Sequence, residues 1–388
     1  MKIGLVSPYD FSFPGGVNNH IKYLAKYFLK WGHEVKILAP QSKNNNESTL
    51  SVIPHGHPFP WSSIGTVSRI PISPWLPFQV RNTIRKETFD ILHVHEPLLP
   101  LLPLSALLSS TCTNIGTFHA YHGTPYFYKF TKRYLLRCLP KLHGRIAVSG
   151  AALQFISSQL PGEYRIIPNG VDTTYFKRSN LRRPEFNDGK LNILFVGRLE
   201  KRKGVDYLIK AYADIKYKLP QTRLIIVGSG TRWSQALNTL VKDINIPDIV
   251  FTGYVDDNEI LSYYHSADVF CSPAIFGESF GIVLLEAMAC GIPIVASHIA
   301  GYADIVSHGD DGLLTEPCDK DALAGSLLQV LENPTLRLEM GDKGERKARL
   351  FDWQNIAGKV MALYQECIDQ KKKRGRSRSI EHSITFVL

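Results

Sequence analysis

The sequence predicts an α/β protein of two doubly wound domains, each built on a parallel sheet that helices cover on both faces. Its 388 residues exceed what one hydrophobic core usually organises. Short apolar runs alternate with helical patterns in both halves of the chain, which is the order that βαβ units require. Several of these runs are apolar at nearly every position, as is typical of strands buried on both faces.

The first domain begins with a βαβ unit. Residues 3–6 form the predicted first strand, and a helix follows the loop that contains Pro14-Gly15-Gly16. Apolar residues then recur at helical spacing up to residue 29, and residues 34–38 resume as a strand. Further strands of this half are predicted at residues 91–95, 114–118 and 145–149.

The second domain repeats this order. A strand at residues 191–196 leads through a loop into a helix from about residue 205, and residues 223–228 form the next strand. Later strands are predicted at residues 249–252, 269–272 and 293–297. Residues 167–172 contain Pro, Asn and Gly, which interrupt the series of strands. We therefore assign residues 1–172 and 173–352 to two Rossmann-like domains.

The composition is that of a globular protein, with 44% hydrophobic and 21% charged residues. The six cysteines show no paired short spacing, so we expect reduced thiols and neither a zinc site nor a disulfide framework. The chain begins with a strand pattern and not with a secretory signal. Its most apolar stretch, residues 98–108, is too short to span a bilayer. These features predict a cytoplasmic protein that does not cross a membrane.

Two regions dominate the distribution of the net charge of +10. Residues 371–378 carry six cations, which suit a disordered solvated tail or a segment that binds anionic lipid or nucleic acid. Residues 126–145 mix basic and aromatic side chains at helical spacing, as an interfacial membrane helix does. A helix with one buried and one solvated face explains much of the same pattern.

Gly15-Gly16 lies where the first strand turns into a helix. Glycines at such a turn let a phosphate approach the N–H groups of the helix N-terminus. The alternative is a turn that needs glycine for steric reasons alone. The spacing is neither that of a dinucleotide fingerprint nor that of a Walker motif.

The corresponding loop of the second domain is rich in cations. Gly197-Arg198 and the basic run 201–203 follow the carboxyl end of a strand, where open α/β sheets bind ligands. A diphosphate leaving group needs such cations, because negative charge builds on it as a glycosidic bond breaks. A solvated surface loop is the alternative.

Residues 276–287 contain the most specific pattern of the chain. Glu278 precedes a glycine-containing turn, and Glu286 lies eight residues further on. Eight residues are a little more than two helical turns, so both carboxylates can reach the same side of a site. Glu286 lies among apolar residues, where a carboxylate is costly unless it binds donors such as sugar hydroxyls. A capping or surface role is the alternative for Glu286.

Histidines end two strands of the first domain. His119 follows one strand and can hydrogen-bond a reacting sugar, and the strand before it ends in His93, His95 and Glu96. Metal ligation by His95, Glu96 and His119 is conceivable, but no other feature supports it. We therefore predict a site without a metal ion.

Together these motifs resemble the retaining glycosyltransferases of family 4. The resemblance covers about residues 1–365 and is most specific between Glu278 and Glu286. It implies the GT-B architecture, in which two Rossmann-like domains face each other across a cleft. Within the family, the chain is most similar to the phosphatidylinositol mannosyltransferases, on the evidence of residues 7–9, 14–17, 144–149 and 277–283.

The resemblance implies a role for each donor-site residue. Gly16 would lie against the diphosphate and the sugar, and Arg198 and Lys203 would neutralise the diphosphate. Glu278 would bind hydroxyls of the transferred sugar, and Glu286 would bind the ribose. The whole donor site would comprise Gly15, Gly16, Arg198, Lys203, Glu278, Ser279, Phe280, Gly281 and Glu286.

The resemblance also implies an acceptor side. His119 would lie beside the reacting sugar, which makes the catalytic set His119, Arg198, Lys203 and Glu278. Tyr9 and Arg69, with His119, would contact the acceptor. Membrane contact would involve Arg81, Arg85 and Lys86. A helix at about residues 353–370 would cross back to the first domain, which leaves residues 371–388 as a basic, disordered tail.

The function implied is transfer of a hexose, mannose first, from GDP-mannose or a UDP-sugar to a membrane lipid such as phosphatidylinositol. No cofactor or metal is expected, and the protein would be peripheral on the cytoplasmic face of an anionic membrane. Leu98, Leu99 and Ala120 depart from the family's polar groups on the acceptor side. A soluble or polysaccharide acceptor, or glucosyl transfer to diacylglycerol, therefore stays open. A non-catalytic nucleotide- or nucleic-acid-binding protein is disfavoured, because the two glutamates would repel phosphate.

Overall fold

The computed structural model describes residues 1–43, 50–63, 66–120, 125–230 and 232–385. The chain divides into two compact units. The first unit consists of Met1–Pro168 and Trp353–Leu388, and the second of Asn169–Asp352. The second unit therefore begins slightly before the boundary at residue 172 that the sequence suggested.

The first unit combines a central sheet, a hairpin and helices. Its strands are β1 (Lys2–Val6), β2 (Glu34–Ala39), β3 (Val52–Pro54), β4 (His57–Ser63), β5 (Thr66–Ile72), β6 (Ile91–His95), β7 (Thr113–Phe118), β8 (Gly144–Ala147) and β9 (Arg165–Ile166). Its helices are α1 (Gly16–Lys30), α2 (Leu76–Glu87), α3 (Leu102–Ser109), α4 (Pro125–Cys138), α5 (Gly150–Gln159) and the last helix of the chain, α13 (Trp353–Thr385).

The central sheet of this unit is parallel and seven-stranded, with the order β3-β2-β1-β6-β7-β8-β9. Because β1 pairs with both β2 and β6, the strand order reverses at β1. Doubly wound sheets bind ligands outside the carboxyl ends of the strands at such a switch point. The loops after β1, β6 and β7 therefore begin at the edge where a ligand is expected.

Helices cover both faces of this sheet. Successive residues of a strand point to opposite faces, and Leu5 and Val6 accordingly belong to different cores. Leu5 packs with residues of α1 and α13, including the fully buried Trp353. Val6 packs with residues of α2 and α3, including Leu102. Burial on both faces explains why the strands of this sheet are apolar throughout.

The second unit has the same construction. Its strands are β10 (Leu191–Val196), β11 (Thr222–Val227), β12 (Ile249–Gly253), β13 (Val269–Ser272), β14 (Ile294–Ser297) and β15 (Gly312–Thr315). Its helices are α6 (Val205–Lys218), α7 (Arg232–Ile244), α8 (Asp257–His265), α9 (Ile282–Ala289), α10 (Ala300–Ala303), α11 (Lys320–Glu332) and α12 (Pro334–Leu350). The strands form a six-stranded sheet in the order β12-β11-β10-β13-β14-β15, and each pair is parallel. Two parallel-sheet α/β units are thus confirmed.

Two features differ from the sequence-based expectation. The antiparallel hairpin of β4 and β5 was not predicted, because prolines at 58, 60 and 71 obscure its strand pattern. The disordered tail predicted at residues 371–388 is corrected for residues 371–385, which continue α13. Lys and Arg favour helix, and a helix that already exists extends without a new nucleus. Within the described ranges, no helix combines the length and the apolar character that crossing a bilayer requires.

Candidate active site

Two loops meet at the carboxyl edge of the second sheet. Residues 197–204 follow β10, and residues 273–281 follow the neighbouring strand β13. Their backbones come into contact at Gly204, whose φ is +66°. A Cβ at that position would lie 2.0 Å from the carbonyl oxygen of Pro273, so only glycine permits this approach. The two loops predicted to bind the donor are therefore neighbours.

The Glu278 carboxylate lies between two cations. Its Oε1 accepts a hydrogen bond from the Arg202 guanidinium and forms an ion pair with Lys203 Nζ at 2.8 Å. These three side chains, which we call the cation–glutamate cluster, are only 11–14% exposed. Burial opposes ionisation of Glu278, but the charges of Lys203 and Arg202 outweigh it and hold the pKa of the carboxyl below its usual value. Glu278 is therefore ionised at neutral pH.

Arg202, and not Arg198, contacts Glu278. The Arg198 side chain is 55% exposed and pairs with Glu200 at 3.1 Å. Glu200 also pairs with Arg202, at 2.8 Å, and so connects the two arginines. The sequence prediction for Lys203 thus agrees with the contacts around Glu278, whereas Arg198 remains outside them. Arg202 was missed as a site residue, although it belongs to the same basic run.

Helix α9 begins directly after the turn that contains Glu278. The residue before its first turn, Gly281, has a φ of +96°, and a Cβ there would lie 2.7 Å from the Tyr302 ring. Phe280 is buried and anchors the turn, and Ser279 is half-buried. The free N–H groups at the start of α9 therefore lie beside the cation–glutamate cluster, as a site for an anion requires.

Glu286 lies on α9 and has a different partner. Its Oε2 accepts a hydrogen bond from the Tyr264 hydroxyl at 2.7 Å. Burial raises the pKa of Glu286 to about 7, although the hydrogen bond from Tyr264 opposes this rise. The two carboxylates that the sequence placed on one side therefore differ in charge near neutral pH: Glu278 is fully ionised, and Glu286 is close to half-protonated.

Gly15 and Gly16 form the start of α1, after the carboxyl end of β1. The Gly15 backbone is extended, with a φ of −179°, and no described atom lies within 4 Å of the position that its Cβ would take. The described residues therefore impose no steric demand for glycine at this position, and both residues are exposed. The loop before them is held by Asn18, whose Nδ2 donates to the carbonyl oxygens of Asp10 at 2.8 Å and Phe13 at 3.0 Å. Sequence reasoning missed Asn18, which carries no motif signal.

Buried histidines meet at the carboxyl edge of the first sheet. His20 comes from α1, His95 ends β6 and His119 follows β7, and we call these three residues the histidine cluster. His95 Nδ1 and His119 Nε2 are 2.9 Å apart, and the His20 ring packs edge-on against both rings at centroid distances of 5.2 and 5.0 Å. Burial lowers the pKa of His95 and His119 well below the usual value, so both imidazoles are neutral at pH 7.

The histidine cluster has the composition of a metal site. One ligand nitrogen from each of the three residues lies within 4.8 Å of the others. The 2.9 Å between His95 and His119 is, however, an N–H···N hydrogen-bond distance, shorter than the roughly 3.3 Å between two nitrogens on a tetrahedral zinc ion. Glu96, a ligand candidate from the sequence, binds the backbone N–H groups of His119 and Ala120 instead. A site that works without metal stays a prediction.

The residues predicted to contact the acceptor lie next to these features. Burial, and to a smaller extent the charge of the Glu96 carboxylate, raises the pKa of Tyr9. The Arg69 guanidinium lies 3.7 Å above the centre of the Phe13 ring, and Phe13 is two residues before Gly15 in the chain. Arg69 therefore adjoins the glycine loop, and the Glu96 carboxylate that affects Tyr9 also binds the backbone at His119.

Helix α2 presents a basic and aromatic surface. The exposed basic residues are the three predicted from the sequence: Arg81, Arg85 and Lys86. Trp75 and Phe78, near the start of α2, are 71% and 64% exposed. In α4, Phe130 is 81% exposed, and the side chains of residues 125–129 lie outside the described part of the structure. Large exposed aromatic groups beside cations are typical of surfaces that contact an anionic interface.

Comparison with known proteins relates this geometry to a family. The family model for "Glycosyltransferase Family 4" matches residues 14–175, and the model for "Glycosyl transferases group 1" matches residues 176–347. The chain is 34% identical over 366 residues to the phosphatidyl-myo-inositol mannosyltransferase of Mycolicibacterium smegmatis, with 94% of each chain covered. It is 35% identical over 370 residues to the protein of that name from Mycobacterium tuberculosis, covering 94% of this chain and 97% of the other.

Solved structures extend the likeness to the fold. A sucrose-phosphate synthase from Thermosynechococcus elongatus superposes with a TM-score of 0.79 at 23% identity, covering 95% of this chain and 99% of the other. The Anabaena HepE protein, in complex with UDP, superposes with a TM-score of 0.78 at 21% identity, covering 94% and 100%. The two matched family models, the relatives above 30% identity and these folds agree: the chain belongs to glycosyltransferase family 4 and has the GT-B fold.

Proposed function

We propose that this glycosyltransferase transfers a hexose, mannose in the first instance, from a nucleotide diphosphate sugar to a membrane lipid such as phosphatidylinositol. The donor is GDP-mannose or a UDP-sugar, the anomeric configuration is retained, and neither a metal ion nor a cofactor takes part. One observation carries the proposal: the ionised Glu278 is held between Arg202 and Lys203 beside the start of α9. The names of the curated relatives support mannose and a phosphatidylinositol acceptor, and the UDP complex of HepE supports a nucleotide donor.

The second unit supplies the electrostatics of donor cleavage. Arg198, Glu200 and the cation–glutamate cluster together carry one net positive charge. Negative charge builds on the diphosphate as the glycosidic bond breaks, and Arg198, Lys203 and the N–H groups of α9 stabilise it. Glu278 accepts hydrogen bonds from hydroxyls of the transferred sugar, and Glu286 accepts them from the ribose.

The departing phosphate acts as the base in this scheme. The bond between the anomeric carbon and the phosphate oxygen breaks, and a bond from the acceptor oxygen forms on the same face of the sugar. The acceptor hydroxyl loses its proton to the phosphate, so the charges balance without a protein nucleophile. The cations of the second unit are then the groups that lower the barrier most.

The first unit supports the acceptor side. The exposed backbone at Gly15-Gly16 offers N–H groups to the diphosphate and the sugar. The neutral His119 can hydrogen-bond a hydroxyl of the reacting sugar without attracting the diphosphate. Arg69 provides a guanidinium for the phosphate of a lipid headgroup, a pairing that guanidinium geometry favours. Tyr9 adds a hydroxyl beside them.

A second candidate acceptor follows from the apolar residues of the same region. Leu98 is 2% exposed and therefore packs in the core, and it offers no polar group to a headgroup. Ala120 contributes its backbone N–H to Glu96 and has no polar side chain. Fewer polar contacts suit a smaller headgroup, so glucosyl transfer to diacylglycerol is the alternative that these residues favour. A soluble or polysaccharide acceptor is a further alternative, which these residues do not favour.

A matrix of donors and acceptors tests the proposal. The purified chain is offered GDP-mannose, UDP-glucose, UDP-galactose or UDP-N-acetylglucosamine with vesicles of phosphatidylinositol, phosphatidylglycerol or diacylglycerol, with and without EDTA. We expect GDP release and a mannolipid from GDP-mannose and phosphatidylinositol, unchanged by EDTA and lost in Glu278→Ala. NMR of the glycolipid reports the anomeric configuration. Nucleotide release without a glycolipid points to a soluble acceptor, and no release from any donor contradicts the assignment.

A further inference from the structure

Glu96 lies one residue beyond β6 and contacts the end of β7 at two points. Its carboxylate Oε1 accepts the N–H groups of His119 at 2.6 Å and Ala120 at 2.9 Å. Its own N–H donates to the carbonyl oxygen of Thr117 at 2.8 Å. Since β7 ends at Phe118, the sheet no longer supplies partners for the two N–H groups that follow. The carboxylate of Glu96 supplies the acceptor that a neighbouring strand would otherwise provide.

Glu96 is a poor choice for this position if folding alone is considered. Its φ is +50°, in the left-handed region that residues with a side chain seldom adopt. Its side chain is buried, with the residue 6% exposed, and burial raises the pKa of the carboxyl to about 7 despite the two backbone hydrogen bonds. Glycine or asparagine would relieve the backbone, and an apolar side chain would avoid burying a carboxylate. Glu96 nevertheless carries both the cost of the left-handed backbone and the cost of the buried carboxylate. It is also the residue whose carboxylate binds the backbone N–H of His119.

We propose that Glu96 is a positioning residue, whose carboxylate fixes the backbone at His119 and thereby holds the His119 imidazole in the orientation needed at the reacting sugar. The ring has its second support in His95, whose Nδ1 lies 2.9 Å from His119 Nε2. With the backbone held by Glu96 and Nε2 held by His95, His119 Nδ1 is the ring nitrogen that the described residues leave for a ligand. The inference rests on the proposed function only in giving His119 a role at the sugar.

The substitution Glu96→Gln tests the contact most directly. A glutamine side chain has the same length and keeps an oxygen that can accept both N–H groups, whereas Glu96→Ala removes the acceptor. We expect Glu96→Gln to retain kcat within about threefold. We expect Glu96→Ala to lose about 100-fold in kcat, the cost of misplacing a reacting group by about 1 Å, with the donor KM within about twofold.

A matched control separates positioning from general loss of stability. Asp311 is also a buried carboxylate, 2% exposed, that accepts a backbone N–H, from Ser307 at 2.9 Å, and it pairs with Lys347 at 2.7 Å. It precedes β15, at the amino edge of the second sheet, whereas the predicted site residues of that unit follow the carboxyl edge. Asp311→Ala should lower the melting temperature as Glu96→Ala does but leave kcat near that of the unchanged protein. An equal loss of kcat in both variants would overturn the proposal.

Amide hydrogen exchange provides a readout that does not depend on turnover. In Glu96→Ala the amides of His119 and Ala120 should lose protection, whereas in Glu96→Gln and Asp311→Ala they should keep it. Unchanged protection in Glu96→Ala overturns the positioning role whether or not the enzyme turns over any donor. If protection is lost but no donor is consumed by the unchanged protein, the contact stands and the proposed reaction fails.

Discussion

The two units place buried polar groups at the carboxyl edges of their sheets, but they use opposite electrostatics. In the first unit, His95 and His119 of the histidine cluster are buried and neutral, because burial lowers their pKa values. In the second unit, the cation–glutamate cluster is buried and ionised, because Lys203 and Arg202 compensate for the burial of Glu278. A buried group stays neutral where only neutral groups face it and ionises where a partner of opposite charge is in contact.

This difference separates two kinds of recognition. An ionised cluster with a helix start beside it binds an anion and can stabilise charge that develops during the reaction. A neutral imidazole binds hydroxyls through direction and distance, with little effect from net charge. In our proposal, the charged groups that stabilise the departing diphosphate therefore belong to the second unit. The first unit adds the neutral N–H groups of Gly15-Gly16 and orients the sugar and the acceptor. Substitutions that replace a side chain of each cluster by a neutral polar one test that division, because they separate the effect of charge from the effect of shape.

The largest effect is expected at Lys203. Lys203→Ala and Lys203→Gln should both lower kcat about 10²–10³-fold, because the charge on the departing phosphate loses a positioned cation, and glutamine keeps a hydrogen-bond donor but not the charge. Lys201→Ala is the matched control, since Lys201 is exposed in the same short helix turn. Steady-state kinetics with the productive donor measure both. Similar kcat values for the Lys203 and Lys201 variants, or rescue by glutamine, would contradict an electrostatic role.

A smaller loss of kcat is expected at His119. There, unlike at Lys203, a neutral polar substitute should restore most of the activity. His119→Ala should lower kcat about 100-fold, the usual size of a lost positioned hydrogen-bonding group. His119→Asn should recover most of it, because the amide offers a donor and an acceptor and the native imidazole is neutral. His33→Ala, in the turn after α1, serves as the control. A failure of asparagine to improve on alanine would indicate that ring protonation, and not shape, matters at this position.

The sequence predicted the second cluster better than the first, for a physical reason. Parallel neighbouring strands bring the loops that follow them to one edge, so the loops of Lys203 and Glu278 had to meet. The sequence-based prediction named Arg198 and not Arg202, because which arginine contacts Glu278 depends on the short helical turn Lys201–Lys203. The sequence suggested only a metal-ligand role for Glu96. No local pattern predicts that a glutamate adopts the left-handed backbone conformation and accepts hydrogen bonds from backbone N–H groups. Its partners lie more than twenty residues away along the chain.

His20 and the last helix show the same limit. A single histidine on an apolar helix face gives no signal until α1 packs against β6 and β7, and it then meets His95 and His119. Residues 371–385 have the composition of a solvated tail, and yet they continue α13, whose start is fixed in the core by Trp353. Local composition predicted the elements that carry their own pattern. Contacts between distant segments decided the rest.

Membrane binding offers a third way to compare the units, with an intermediate effect. Removing two cations by Arg85→Gln with Lys86→Gln should weaken binding to anionic vesicles about 30-fold at low salt, from about 1 kcal/mol for each charge near the surface. Lys218→Gln, at an exposed position on the second unit, should change binding little. Vesicle sedimentation over a range of salt concentrations measures this, and the difference should shrink as the Debye length falls. If Lys218→Gln weakened vesicle binding as much as the double substitution in α2 does, a membrane-binding surface on α2 would be contradicted.

The smallest effect concerns stability against pH, where the two kinds of buried group act in opposite directions. Glu286 has its folded pKa raised from 4.5 to about 7, so the folded state binds the proton more tightly than the unfolded state. Its contribution is fully present below pH 4.5 and is lost as the pH rises through 7. The neutral histidines have lowered pKa values, so their contribution is present above about pH 6.5 and is lost as the pH falls. The free energy of unfolding should therefore be greatest between about pH 4.5 and about pH 7.

Glu286→Gln isolates the contribution of Glu286 to that profile, because glutamine can still accept the Tyr264 hydrogen bond but does not ionise. Between pH 5 and pH 8 the variant should gain about 1–2 kcal/mol relative to the unchanged protein, after allowance for the partial exposure of Glu286. This corresponds to a few degrees in the melting temperature, and Glu332→Gln at an exposed position should show no such trend. If the difference in stability between the variant and the unchanged protein instead stayed constant from pH 5 to pH 8, Glu286 would be ionised throughout that range. The second unit would then contain two buried anions, and its contrast with the first unit would be sharper than the structure indicates.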